Sequence, residues 1–144
     1  MKSIGLLNGP NLDRLGKREP NIYGPVTLSQ IEDKVTEKAS TLGCKVNCFQ
    51  SNHEGSLIDK IHQWSDEEYY GLILNPGGLT HTSVALRDAV SASNLKTVEV
   101  HLSNIHARED FRKKSLISEI ASAVVAGMNH HGYLFALHYL IEEA

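Results

Sequence analysis

Five short apolar runs, each ended by polar or turn residues and separated from the next by a helical pattern, constrain this chain more than any other feature. Ile4 to Leu7 runs into Asn8-Gly9-Pro10, and Val46 to Gln50 forms the second run. Gly71 to Leu74 precedes Asn75-Pro76-Gly77-Gly78, Thr97 to Val100 precedes His101, and Ala121 to Ala126 precedes Gly127. Short apolar runs of this kind suit strands buried on both faces of a parallel sheet. The fifth is open to a second reading, since Ser115 to Ala126 also accommodates a helix.

Between the runs, Leu28, Ile31, Val35, Ala39 and Leu42 recur at helical spacing, opened by the capping box Thr27-Leu28-Ser29-Gln30 and closed by Gly43. Ser56-Leu57-Ile58-Asp59 predicts another helix start ahead of Ile61 and Trp64, and Thr82 to Ser93 and Tyr133 to Glu142 supply two further amphipathic segments. Alternation of strand and helix, with right-handed crossovers, leaves the doubly wound family. The expectation is a flavodoxin-like α/β fold, a three-layer sandwich whose five parallel strands take the order 2-1-3-4-5.

At 144 residues and 41% hydrophobic, the chain suits one domain, residues 1–144, with a core that needs neither disulfides nor metal. A net charge of -3 without a run of five like charges removes the electrostatic footprint of a nucleic-acid binder. Cys44 and Cys48 have no second pair to complete a zinc site and read as reduced, structural residues; the eight His form no HExxH pattern, so no metal is expected. His130-His131 reads as a turn before the last helix. Asn8-Gly9-Pro10 interrupts the first apolar run well before a signal-peptide core or a membrane span would be complete, which predicts a cytoplasmic protein without a membrane partner.

In such sheets ligands bind beyond the carboxyl ends of the strands, where this chain carries Asn8 to Asn11, Gln50 to Glu54, Asn75 to His81 and His101 to His106. The long connection Gly9 to Val26, punctuated by Pro and Gly, is expected to be a mobile lid around residues 9–26. Within it, Arg14, Lys17, Arg18 and Tyr23 suit either a solvated surface loop or an anion clamp that tunes a tyrosine. Glu99 and His101 lie two apart on a strand and so share a face, where the carboxylate can orient the imidazole and stabilise positive charge on it. Pro76-Gly77-Gly78 lets backbone approach a ligand closely, and the helix start near Thr80 to Ser83 is a seat for a carboxylate. His106, Arg108 and Arg112 follow on a charged stretch suited to a short helix, with Arg112 either a surface residue or a second cation in the site.

Asn8-Gly9-Pro10-Asn11-Leu12, Arg18-Glu19-Pro20 with Tyr23-Gly24, Asn75 through His81, and Glu99 through Asn104 together resemble type II 3-dehydroquinate dehydratase (type II dehydroquinase) along the whole chain. Thr82 through Asp88 and His106-Ala107-Arg108-Glu109 extend the resemblance in the family's order and spacing. It implies a lyase of the shikimate pathway that turns 3-dehydroquinate into 3-dehydroshikimate by anti elimination through an enol or enolate, with no cofactor. The same reaction would also serve quinate breakdown, and a flavodoxin-like binding protein without catalysis is the alternative of a different class. By position the resemblance implies Tyr23 as base, Arg18 as the lid cation supporting it, His101 as acid, Glu99 as the residue orienting His101, and Asn11 as holder of the water that stabilises the enolate. Asn75, His81, Leu102, Ser103 and Arg112 match substrate contacts, with the main-chain N–H groups of Leu102 and Ser103 facing the carboxylate. Asp88 resembles a residue that reaches a neighbouring subunit's substrate, within a homododecamer built as a tetramer of trimers.

A tyrosine with an ordinary pKa of about 10 is ionised roughly one time in a thousand at pH 7, a deficit of about 4 kcal/mol. One cation at roughly 4 Å, with an effective dielectric of about 20, returns on the order of 4 kcal/mol before desolvation. One arginine is therefore borderline as a support for a tyrosinate base, and two suffice. Asp13, where an uncharged residue is expected, and Met128-Asn129-His130-His131, in place of a smaller glycine-rich approach to the last helix, depart from the family pattern.

Overall fold

A computed structural model describes residues 1–17 and 19–143. Five strands, β1 (Ser3–Asn8), β2 (Lys45–Gln50), β3 (Gly71–Asn75), β4 (Lys96–His101) and β5 (Ala123–Ala126), form one parallel sheet in the order β2-β1-β3-β4-β5, as the alternation of runs predicts. Five α-helices accompany it: α1 (Pro20–Tyr23), α2 (Leu28–Thr41), α3 (Glu54–Asp66), α4 (Val84–Ser93) and α5 (His131–His138). No helix among the described residues is long and apolar enough to cross a membrane.

The two faces of the sheet bury separate cores because strand side chains alternate. Ile4, Leu6, Ile73, Val98 and Val100 pack against Ile31, Val35 and Ala39 of α2 and Tyr133, Ala136 and Leu137 of α5. Leu7, Leu72 and Leu74 pack on the other face against Leu57, Ile61 and Trp64 of α3 and Leu86, Ala89 and Val90 of α4. Register aligns the strand ends: Asn8 sits level with Gln50 on one side and Asn75 on the other. One polar edge of the sheet is thereby assembled from residues far apart in sequence.

The Thr27 capping box forms with both of its hydrogen bonds, and its helix ends at Thr41. Elsewhere local expectations are adjusted. The third helix starts at Glu54 with His53 as N-cap, not at the Ser56 box; Ser83, whose hydroxyl also accepts from Leu86 N–H, instead donates to the Glu54 carboxylate and ties the α3 and α4 starts together. The stretch from His106 to Arg112 makes two 3-10 turns, Ile105–Ala107 and Asp110–Arg112, with no longer helix. Between Ser115 and Ala126 the chain makes a 3-10 turn, Ser118–Ile120, and then β5, so the strand reading holds. His130 is the N-cap of α5 and His131 its first residue; the predicted Tyr133–Glu142 segment ends in a π-helical turn, Tyr139–Glu143. Of the two free cysteines Cys44 is buried in the core, whereas Cys48 is exposed, which corrects its reading as a structural residue.

Candidate active site

The polar strand edge opens into a pocket bounded by the β1 loop (Pro10 to Leu12), Tyr23, the β3 end and turn (Asn75, Gly77, Gly78, His81), and the β4 end with its following loop (His101 to Ser103, Ile105, Arg108, Arg112). It encloses about 140 Å³, close to the ~150 Å³ that admits a benzene ring. The scale is that of one six-membered ring, not of a polymer.

The close fit of two loops makes this edge. Gly9 N–H donates to the Asn75 carbonyl at 2.8 Å, and a Cβ at Gly9 would lie 2.4 Å from the Pro76 carbonyl oxygen. Only glycine allows that approach. Asn11 takes a left-handed conformation (φ 71°), and its N–H donates to Asn52 Oδ1 at 2.9 Å. Gln50, from the end of β2, donates to the Gly9 carbonyl at 3.1 Å and braces the same loop.

Tyr23, at the end of α1, meets Arg108 across the pocket. Arg108 Nη1 donates to the Tyr23 hydroxyl at 2.9 Å and to Ser103 Oγ at 3.3 Å, and the guanidinium lies 5.2 Å from the centroid of the Tyr23 ring. Stacking and hydrogen bonding together hold a permanent cation against the phenol oxygen. Arg18, expected to support this tyrosine, lies outside the described residues.

At the end of β4, Glu99 and His101 point to one face, as their spacing predicts, and His101 Nε2 is hydrogen-bonded to Glu99 Oε2. The pairing leaves Nδ1 as the ring nitrogen available to a molecule in the pocket. Glu99 is fully buried, and two serines complete its shell: Ser115 Oγ donates to Oε2 at 2.8 Å and Ser118 Oγ to Oε1 at 2.6 Å. Burial pushes this carboxyl up, but the hydrogen bonds from His101 and Ser118, the attraction of His101 and the bond from Ser115 outweigh it and hold Glu99 below the usual carboxylate range. A carboxylate hydrogen-bonded behind the imidazole fixes the orientation of the His101 ring.

On the opposite wall, Asn75 Oδ1 accepts from Gly77 N–H at 3.1 Å. His81 Nδ1 lies 2.7 Å from the Lys114 carbonyl oxygen; a carbonyl can only accept, so Nδ1 carries a proton. Leu102 and Ser103 follow directly on β4 at the pocket wall. Arg112 also lines the pocket, with its Nε donating to Glu109 at 3.2 Å.

The fold therefore brings together Asn11, Tyr23, Asn75, His81, His101, Leu102, Ser103 and Arg112, with Glu99 directly behind His101. Asp88 lies on the exposed side of α4 and is not among the pocket-lining residues. Arg112 lines the pocket as a cation of the site, while the described cation on Tyr23 is Arg108, a role that the sequence reading did not assign because a charged stretch does not show which of its arginines turns inward. Ser115 and Ser118 were missed too, since nothing local distinguishes them from loop serines. Among the described residues no group of three or more His, Cys, Asp or Glu is placed to hold a metal ion.

Residues 2–141 match the family model described as dehydroquinase class II. The chain is 47% identical over 143 residues to a 3-dehydroquinate dehydratase of Bacillus cereus (strain AH187), covering 99% of this chain and 97% of that one. Its structure superposes on the type II dehydroquinase of Butyrivibrio crossotus DSM 2876 with a TM-score of 0.95 and 39% identity, covering 96% of this chain and 97% of that one. A TM-score of 0.96 with 38% identity relates it to the type II dehydroquinase of Propionibacterium acnes, over 99% of this chain and 98% of that one.

Proposed function

Since the chain belongs to the class II dehydroquinase family and is a hydro-lyase, we propose that its pocket dehydrates 3-dehydroquinate to 3-dehydroshikimate with Tyr23 as base and His101 as acid. The observation that carries this division is the placement of two differently supported groups around one ring-sized space: Tyr23 against the Arg108 cation, and His101 against the buried Glu99 carboxylate. A cation favours a phenolate, which takes a proton; a carboxylate favours an imidazolium, which gives one.

In this reading the Tyr23 phenolate removes the proton at C2, and the C2–H electrons pass into the C3 carbonyl to form an enolate. Asn11 holds a water against the developing oxyanion. The C1–O bond then breaks as the enolate collapses to the conjugated enone, and His101 delivers its proton to the departing hydroxyl, which leaves as water. Arg18 joins Arg108 in supporting the phenolate. Asn75, His81, Ser103 and Arg112 bind the ring hydroxyls and carboxylate, with the main-chain N–H groups of Leu102 and Ser103 turned to the carboxylate.

The segment around residues 9–26, which carries Tyr23, acts as the lid over this pocket. Asp88 serves a neighbouring subunit in a homododecamer, which sedimentation of the purified protein tests directly. The reaction belongs in the shikimate route to chorismate and the aromatic amino acids, in the cytoplasm.

The test is direct. Purified, chelator-treated protein is mixed with 3-dehydroquinate and ultraviolet absorbance is followed, because dehydration creates a conjugated enone that the substrate lacks. Prompt growth of absorbance supports the reading; a flat trace from folded protein overturns it.

A further inference from the structure

Behind the pocket wall a buried hydrogen-bond chain runs from the turn after β3 to the end of β1. Gly77 N–H donates to Asn75 Oδ1 at 3.1 Å. Asn75 Nδ2 donates to the Tyr133 hydroxyl at 2.9 Å, and that hydroxyl donates to Asn8 Oδ1 at 2.6 Å. Tyr133 and Asn8 are fully buried and Asn75 is 3% exposed. Of the three, only Asn75 lines the pocket.

The direction of the chain follows from its first member. A backbone N–H can only donate, so Asn75 must turn its oxygen toward Gly77 and its amide nitrogen toward Tyr133. The Tyr133 oxygen then accepts, and its own proton has to go on to an acceptor, which is Asn8 Oδ1. The last group bears the consequence: Asn8 Nδ2 is buried and has no partner among the described residues. A core selected for stability alone would replace such a chain with apolar side chains of equal volume and leave no donor unpaired.

We propose that Tyr133, supported by Asn8, is a positioning residue that acts through Asn75. It holds one amide N–H of Asn75 away from the pocket and presents the other to an oxygen of the bound substrate. A side-chain amide secured only at its oxygen is free to swing its nitrogen; secured at both ends, it meets the ligand in one orientation. The inference rests on the reading of the pocket as the 3-dehydroquinate site, and it assigns a recognition role to α5, which contributes no pocket-lining residue.

The experiment is a double-mutant cycle of Tyr133→Phe and Asn75→Ala, read as KM and kcat for 3-dehydroquinate. Tyr133→Phe alone is expected to raise KM about five- to tenfold, the value of one hydrogen bond, with kcat changed far less. In the Asn75→Ala background the same substitution is expected to change KM less than about twofold. An equal rise in both backgrounds would mean that Tyr133 acts through general packing, and an unchanged KM in the parent background would remove the role altogether. If Tyr133→Phe fails to fold, Asn8→Ala goes through the same cycle. A crystal structure of Tyr133→Phe supplies a readout without turnover: Asn75 in more than one amide orientation supports the proposal, and Asn75 unmoved overturns it. That readout stays informative even if the parent protein leaves 3-dehydroquinate untouched, so failure of the dehydratase reading is separately visible.

Discussion

Arg108 donates to the hydroxyl of Tyr23 at 2.9 Å and at the same time lies over the face of that ring, 5.2 Å from its centroid. The two contacts place a permanent positive charge where a phenolate oxygen would develop. Only a planar guanidinium makes both.

Arg108→Ala is therefore expected to lower kcat about a hundredfold or more near pH 7, because a cation at this distance is worth on the order of 4 kcal/mol before desolvation. Arg108→Lys should recover only part of the activity. Comparing kcat of the three proteins at neutral pH checks this, and a loss smaller than about threefold in Arg108→Ala would remove Arg108 as a support of Tyr23.

With Tyr23 as the proposed base, Tyr23→Phe would remove the proton acceptor and keep the ring. Turnover should fall about a thousandfold or more, while the affinity for 3-dehydroshikimate, measured by calorimetry, stays within about threefold. Substantial remaining turnover would sink the base assignment.

Glu99 ties the site to stability. Burial raises its carboxyl, but the bonds and charge contributed by His101, Ser118 and Ser115 more than reverse this, so the folded protein holds the carboxylate below its ordinary range. A depressed folded value stabilises the protein above the unfolded value of about 4.3, and the contribution disappears as pH falls through the folded value. Glu99→Gln should thus be less stable than the parent near pH 7, with the gap closing below about pH 4. Urea midpoints at the two pH values test it; a gap independent of pH would show that the charge is not its source.

Gly9→Ala puts a Cβ 2.4 Å from the Pro76 carbonyl oxygen and must push the β1 and β3 loops apart. About 1–3 kcal/mol of stability should be lost, together with most of the activity, since both loops line the pocket. Gly55→Ala is the control: its Cβ meets nothing within 4 Å, it lies inside α3, and it should gain a few tenths of a kcal/mol to about 1 kcal/mol with activity intact. Comparable inactivation by both would break the link to loop spacing.

The features legible in sequence were those set by local chemistry. The apolar runs marked the strands, the Thr27–Gln30 box marked the start of α2, and a period of two put Glu99 and His101 on one face. Where local signals compete, tertiary contacts chose. The Ser56 box lost to His53 because Ser83 ties to Glu54 and fixes an earlier start for α3.

By itself the sequence determined the strand-and-helix alternation, the strand order that right-handed crossovers leave open, and which residue types gather at the strand ends, because periodicity, capping and handedness act over a few residues or one crossover. Tertiary structure alone decided which of those residues meet. Arg108 reaches Tyr23 across 85 positions, Ser115 and Ser118 close over Glu99 from a loop after the strand, and Tyr133 joins Asn8 across 125 positions. Such pairs leave no periodic trace: a guanidinium, a serine hydroxyl or a phenol looks the same in a sequence whether water or a buried partner satisfies it, and only the packing of the two layers on the sheet removes the water.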